Sequence, residues 1–227
     1  MKENIYTIPI YKAFEEKCGC PMCKLYDKIE TRQIEYVLDN MSIAEVLVRR
    51  QTREQGFCRR HLDEMIKRPN KLAVGILLRD HVREITDNIA KDNKFNRMQK
   101  SVPVLHQMAD DCYVCRNTDI QMGYAISNTI WLWKKDDDFK KLLKEQPFFC
   151  AKHASSMLDC AQKDMMSKQF EIFYADIMSI QDTYTRKLHE YLEAYVNSFD
   201  YRFSHIDIGD KKNALEYAEE FLLGKER

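Results

Sequence analysis

Glycine and proline are scarce in this chain, six and five among 227 residues. An all-β sandwich or barrel draws on turn residues far more often, so that class is excluded. Long apolar runs are missing as well. The longest, Leu72 to Leu78, has Gly75 inside it and falls far below the roughly 20 residues that span a bilayer. The opening residues, Met1-Lys2-Glu3-Asn4-Ile5-Tyr6, show no apolar stretch followed by a small-residue cleavage site, so a cytoplasmic location is expected. Net charge is absent too, with 36 basic against 36 acidic side chains. The chain as a whole therefore carries no electrostatic footprint for nucleic acid. Nor is there a Gly-rich phosphate loop, an HExxH pair, a nucleophile elbow or a di-iron ExxH pair. Each of these absences weighs against a catalytic function.

What the chain has is core material and thiols. Hydrophobic residues make up 44% of it, and eight are cysteines. In a reducing compartment such cysteines point to metal ligation or redox chemistry rather than to structural disulfides. Their positions are regular. Cys20, Cys23, Cys58 and His61 form CxxC, a long gap, then CxxH, and Cys112, Cys115, Cys150 and His153 repeat the pattern 92 residues later with the same gap. The flanks agree, since Gly56-Phe57-Cys58-Arg59-Arg60-His61 parallels Phe148-Phe149-Cys150-Ala151-Lys152-His153, and Ile8-Pro9-Ile10 parallels Val102-Pro103-Val104. The pattern reads as a tandem duplication, residues 5–96 and 97–198, followed by a tail, 199–227.

Within each repeat the periodicity is helical. Pro21 suits a first helical turn, and Leu25, Ile29, Ile34, Val37 and Leu38 follow at three- to five-residue spacing. Asp39-Asn40-Met41 breaks that run, and Ser42-x-x-Glu45 reads as a capping box opening a second helix. Gly56 ends it, Cys58 starts a short helix, and Pro69-Asn70 precedes a long one from about Leu72 to Ile89. The second repeat reads alike, with a helix from Cys112 through Trp133, an N-cap at Asp136, a break at Pro147 and a helix from Cys150. The expected fold is all-α: a helix hairpin plus following helices in each repeat.

This layout predicts how the ligands meet. A helix of about 17 residues carries the chain roughly 25 Å away from the CxxC, and a return leg of similar length brings it back to the CxxH. Three thiolates and an imidazole match a closed, tetrahedral structural zinc site. The expected metal ligands are Cys20, Cys23, Cys58 and His61 in one site and Cys112, Cys115, Cys150 and His153 in the other, giving two Zn2+. Equal spacing favours closure within each repeat over an exchange in which one repeat lends its CxxH to the other's CxxC. Arg59, Arg60 and Lys152 stand ready to offset the net negative charge. Iron–sulfur ligation and a redox-active CxxC stay open as alternatives.

Other features read plainly. Residues 1–107 carry 20 basic against 15 acidic side chains, and 108–227 carry 16 against 21. The densest basic stretch, Arg49 to Lys71, reads as a solvated helix face, with an acidic partner as the sharper reading. Cys18 and Cys160 have no counterparts in the other repeat; Cys18 reads as a bystander, with an alternate ligand or a resolving thiol as the other readings, and Cys160 as a small buried hydrophobe. His81, His106, His189 and His205 form no ligand pair with one another. Phe170, Phe173, Tyr174, Ile177, Tyr184, Leu188, Tyr191 and Tyr195 make a stripe that packs on other helices or on a second copy. In the tail, Phe199, Tyr201 and Phe203 are expected to anchor, and Asp210 to cap a helix through Leu215, Ala218, Phe221 and Leu222 that Gly224 ends.

With its CPxC at Cys20-Pro21-Met22-Cys23, its second CxxC at Cys112 and Cys115, its FCxxH motifs at Phe57 and Phe149, and Phe199-Asp200-Tyr201-Arg202 in the tail, the chain resembles a bacterial domain family of unknown function along its whole length. The resemblance implies boundaries and the importance of these residues, and carries no activity. The expected function is a metal-stabilised helical scaffold or binding module that meets a protein partner or a second copy, away from membranes. The alternatives are an iron–sulfur or thiol redox protein and a redox-responsive zinc switch.

Overall fold

The computed structural model describes residues 7–90, 102–103, 106, 111–202 and 207–224. Among these no strand occurs, and the all-α expectation holds. No described helix is long and apolar enough to cross a membrane. Val104, Phe203 and His205, and the boundary between residues 96 and 97, lie outside the described residues. The chain forms two compact units, Met1–Tyr26 with Gly123–Arg227, and Asp27–Met122. This division does not follow the 92-residue period.

The first unit contains α1 (Ile8–Glu15), the start of α2 (Pro21–Val37), most of α7 (Tyr113–Lys135), α8 (Asp137–Lys144), α9 (Ala151–Asp164), α10 (Ser167–Asn197) and α11 (Ala214–Leu223). Its core is aromatic. Phe14, Phe139, Phe149 and Phe173 are fully buried, and each such burial stabilises by about 1.5–3 kcal/mol. Tyr11 and Phe14 on α1 meet Phe139 of α8 at ring separations of 5.1 and 5.0 Å. Asp136 caps α8, as expected, by accepting from the backbone N–H of Asp138 and Phe139, and it also accepts from the Tyr11 hydroxyl. Trp133 lies edge-on to Phe173 and donates from Nε1 to Asp176 at 3.0 Å.

The second unit contains the rest of α2, α3 (Asn40–Ala44), α4 (Val46–Gln55), α5 (Arg59–Lys67), α6 (Lys71–Ala90) and the first part of α7. Ile34, Val37, Val48, Met65, Leu77 and Val114 belong to its core. Asn70 starts α6 by accepting from Ala73 N–H while its amide donates to the Leu38 carbonyl.

Several expectations are corrected here. Ser42-x-x-Glu45 is no capping box: Asp39 caps the short α3 through Met41 and Ser42 N–H, Ser42 is buried within it, and Glu45 is extended. The basic stretch stays exposed, as the solvated-face reading expected, and much of its charge is paired, Arg49 with Asp80, Arg53 with Glu84, Arg59 with Asp63 and Lys67 with Glu64. Cys160 is half-buried beside the Ser127 hydroxyl rather than sunk in the core. In the tail, Phe199 and Tyr201 are exposed instead of anchoring, and Asp200 pairs with Arg202 itself. Docking falls to α11, where Ala214 is buried and Phe221 lies against Phe148 and Tyr184. Asp210 stands in a 3-10 turn, Gly209–Asn213, ahead of α11 rather than at its cap. The aromatic stripe divides along α10: Phe173, Ile177 and Leu188 are buried, Tyr184 stacks on Phe148 at 4.3 Å, and Tyr174 is exposed.

Candidate metal centres

All eight Cys and His residues singled out by spacing converge, but in crossed partnership. Cys20 and Cys23 meet Cys150 and His153, whereas Cys58 and His61 meet Cys112 and Cys115, and the four donor atoms of each group lie within 4.8 Å of one another. Closure within each repeat is therefore the wrong pairing. The equal hairpin legs expected from the spacing do not form: α2 runs 17 residues, about 25 Å, and α4 only 10, about 15 Å, whereas α7 runs 23, about 34 Å, and α8 only 8, about 12 Å.

The distances fit one tetrahedral ion. With metal–sulfur bonds of about 2.3 Å and metal–nitrogen bonds of about 2.0 Å, tetrahedral edges are about 3.75 Å between sulfurs and about 3.5 Å from sulfur to nitrogen. In the first centre Cys23 Sγ is 3.6 Å from Cys150 Sγ, and His153 Nδ1 lies 3.8, 3.4 and 3.2 Å from the sulfurs of Cys20, Cys23 and Cys150. In the second, Cys58 Sγ is 3.9 Å from Cys115 Sγ, and His61 Nδ1 is 3.3 Å from the sulfurs of Cys58, Cys112 and Cys115 alike. All eight cysteines are free thiols. The ligand pairs take matching places: each CxxC stands at the start of α2 or α7, and Cys58 and Cys150 sit at the N-caps of α5 and α9. Helix starts favour thiolate over thiol.

The thiols of each centre are coupled electrostatically. In the first centre, hydrogen bonds from Cys20 and Cys23 pull Cys150 down to about 3 despite its burial, while burial together with Cys150 and Cys23 pushes Cys20 well above the usual thiol range. In the second, the bond to Cys115 pulls Cys112 down to about 3, and Cys115 is pushed up by the same bond and by burial. One thiolate per centre thus suppresses ionisation of one neighbour, Cys20 in the first and Cys115 in the second. A divalent ion at the focus would reverse that logic.

Residues outside the motifs complete each centre. With His61 Nδ1 turned to the sulfurs, its Nε2–H donates to Glu30 Oε1 at 3.0 Å, and Arg60 donates to the same oxygen at 2.8 Å. Burial works against the ionised Glu30, but the bonds from His61 and Arg60 hold its carboxyl below the usual range. A carboxylate behind a ligating imidazole fixes the ring and raises its basicity. Arg60 thus acts near the centre through Glu30, whereas Arg59 points to Asp63. In the first centre the Tyr26 ring lies beside His153 at 6.4 Å, with Lys152 over its face. Among the described residues no carboxylate bonds to His153; the position 92 residues after Glu30 is Met122. Gln181 on α10 instead holds the residue before Cys150, accepting from Phe149 N–H at 3.0 Å and donating to its carbonyl at 2.8 Å.

Gly224, at the end of α11, closes the first centre. Its φ is +79°, and a Cβ there would fall 3.1 Å from Cys23 Sγ and 3.2 Å from Cys150 Sγ. Sequence reading missed Glu30, Gln181 and Gly224. Glu30 had a visible signal, a carboxylate spaced with Ile34 and Val37 on the inward face of α2. Gly224 showed only as a helix terminator. Cys18 stands outside both centres, exposed, with the Lys24 ammonium 2.9 Å from its sulfur. His81 has a structural role: its Nδ1 lies 2.7 Å from the Arg53 carbonyl, and its ring fills the space a Cβ at Gly56 would take.

Glu30→Gln keeps the size of the side chain but weakens its grip on His61. Metal affinity of the second centre is expected to fall by about 10–100-fold with the first unchanged, read by competition with a chromophoric chelator.

The chain matches the model of a family of unknown function, DUF6062, over residues 1–227. It belongs to that family. No curated protein matches it, and no solved structure matches it.

Proposed function

We propose that this family member is a metal-stapled helical scaffold or binding module that holds two zinc ions, one in each Cys3His group. The observation that carries the proposal is the convergence of four donors at tetrahedral spacing in each group. Four protein ligands leave no open position of the kind a catalytic zinc keeps. An iron–sulfur cluster spreads its ligands over separate irons, so donors gathered about one point favour a single ion. Each ion would tie the start of a long helix to the start of a short one distant in sequence. Such binding adds free energy that a preformed loop alone does not supply. A reducing compartment suits this role because it keeps the thiols available to the metal. Protein partners, a second copy of the chain among them, fit a module of this kind.

Elemental analysis with a visible spectrum, on protein purified without oxygen, tests the proposal. Two zinc ions per chain and no colour are expected. Iron with thiolate-to-metal absorption would move the function to electron transfer, and protein that binds no metal when offered zinc would overturn the proposal.

A further inference from the structure

The two centres share a ligand set but differ in access. Cys20, Cys23 and Cys150 are between 0 and 3% exposed, with Gly224 against two of their sulfurs and Gln181 holding the segment that leads into Cys150. In the other centre His61 is fully buried and fixed by Glu30, but Cys58 and Cys115 are only half-buried. The second centre therefore has two partly exposed cysteines where the first has none, while its imidazole is shut off from solvent.

We propose that the Cys58–His61–Cys112–Cys115 centre is an exchange site, where an incoming thiol or chelating ligand attacks the metal and displaces Cys58 or Cys115, while the Cys20–Cys23–Cys150–His153 centre is a closed structural staple. The inference rests on the zinc reading above and assigns the two ions different roles. Exchange at a metal proceeds by ligand replacement: the newcomer's sulfur or nitrogen bonds to the ion, and one protein thiolate leaves and takes a proton from water. No oxidant enters. Access, not affinity, sets the difference. The Glu30–His61 bond strengthens the second centre at equilibrium, yet its two half-buried cysteines, Cys58 and Cys115, admit a competing ligand without the opening that the first centre requires. The first centre exchanges only when α11 and its terminal glycine lift away, a local opening with its own free energy.

The test uses the full chain loaded with two equivalents of zinc, challenged by excess 4-(2-pyridylazo)resorcinol without denaturant. Release is expected in two phases of one equivalent each, the second slower by about tenfold or more. Cys58→Ser should remove the fast phase and leave the slow one. Alkylation of the loaded wild type with iodoacetamide, followed by peptide mapping, gives a readout independent of any variant. Cys58 and Cys115 should label well before Cys20, Cys23 and Cys150, with the exposed Cys18 as an internal reference. A single release rate for both ions, or earlier labelling at Cys20, Cys23 and Cys150, would overturn the exchange assignment while leaving the zinc reading intact. Failure to load two equivalents would overturn both.

Discussion

Cys150→Ser is expected to release the metal shared with Cys20 and Cys23 and to leave the ion at Cys58 in place. The crossed pairing makes this outcome specific. A centre closed within one repeat would join Cys150 to Cys112 and Cys115, but the structure puts Cys150 Sγ 3.6 Å from Cys23. Serine cannot supply the thiolate, and three remaining donors leave a buried, under-coordinated ion. Apparent binding free energies of structural zinc reach about 10–16 kcal/mol in small peptides. Losing most of that from one unit should lower thermal stability more than any surface substitution. Pairs of variants separate the two topologies. Cys20→Ser with Cys150→Ser should still retain one ion per chain and differ little in stability from either single variant, because both act on one centre. Cys20→Ser with Cys58→Ser should retain none. If instead Cys20→Ser with Cys58→Ser kept one ion, the crossed arrangement would be wrong and closure within each repeat restored. Metal counts after gel filtration decide between them.

Sequence reasoning picked out the eight residues that gather into two groups and paired them wrongly. The residues were legible because metal chemistry favours thiolates and imidazoles, and the CxxC and CxxH pairs stand out against a helical background. Helix starts were legible as well: Pro21, Asp136 and the break at Pro147 all lie where those residue types belong. Pairing was not. Equal spacing in the sequence suggested equal helix legs, and Asp39 capping an extra short turn and Glu45 adopting an extended backbone broke that symmetry in the first half. The supporting residues were harder still. Glu30 and Gln181 come from helices whose periodicity predicts burial but not the partner, and burial of a polar side chain requires that partner to exist.

Gly224→Ala is expected to unseat the first centre from the far end of the chain. The glycine has φ +79°, where an L-residue is strained by on the order of 1–3 kcal/mol. Strain is the smaller part. The added methyl would lie 3.1 Å from Cys23 Sγ and 3.2 Å from Cys150 Sγ, and neither sulfur can yield without leaving its place among the four donors. Either the end of α11 shifts by a few tenths of an ångström, loosening the contact of Phe221 with Phe148 and Tyr184, or the two sulfurs shift by as much within the group of four donors. Both routes raise the release rate of the closed ion, so the slow phase of chelator extraction should merge towards the fast one while the Cys58 centre keeps its own rate. Gly75→Ala provides the control. Gly75 lies inside α6 with nothing within 4 Å of an added Cβ, so alanine there should leave both rates unchanged and stabilise the helix by about 0.8–1 kcal/mol. An unaltered slow phase in Gly224→Ala would mean that the end of α11 does not govern access to the first centre, because a methyl in that space must be felt by whichever group guards the sulfurs.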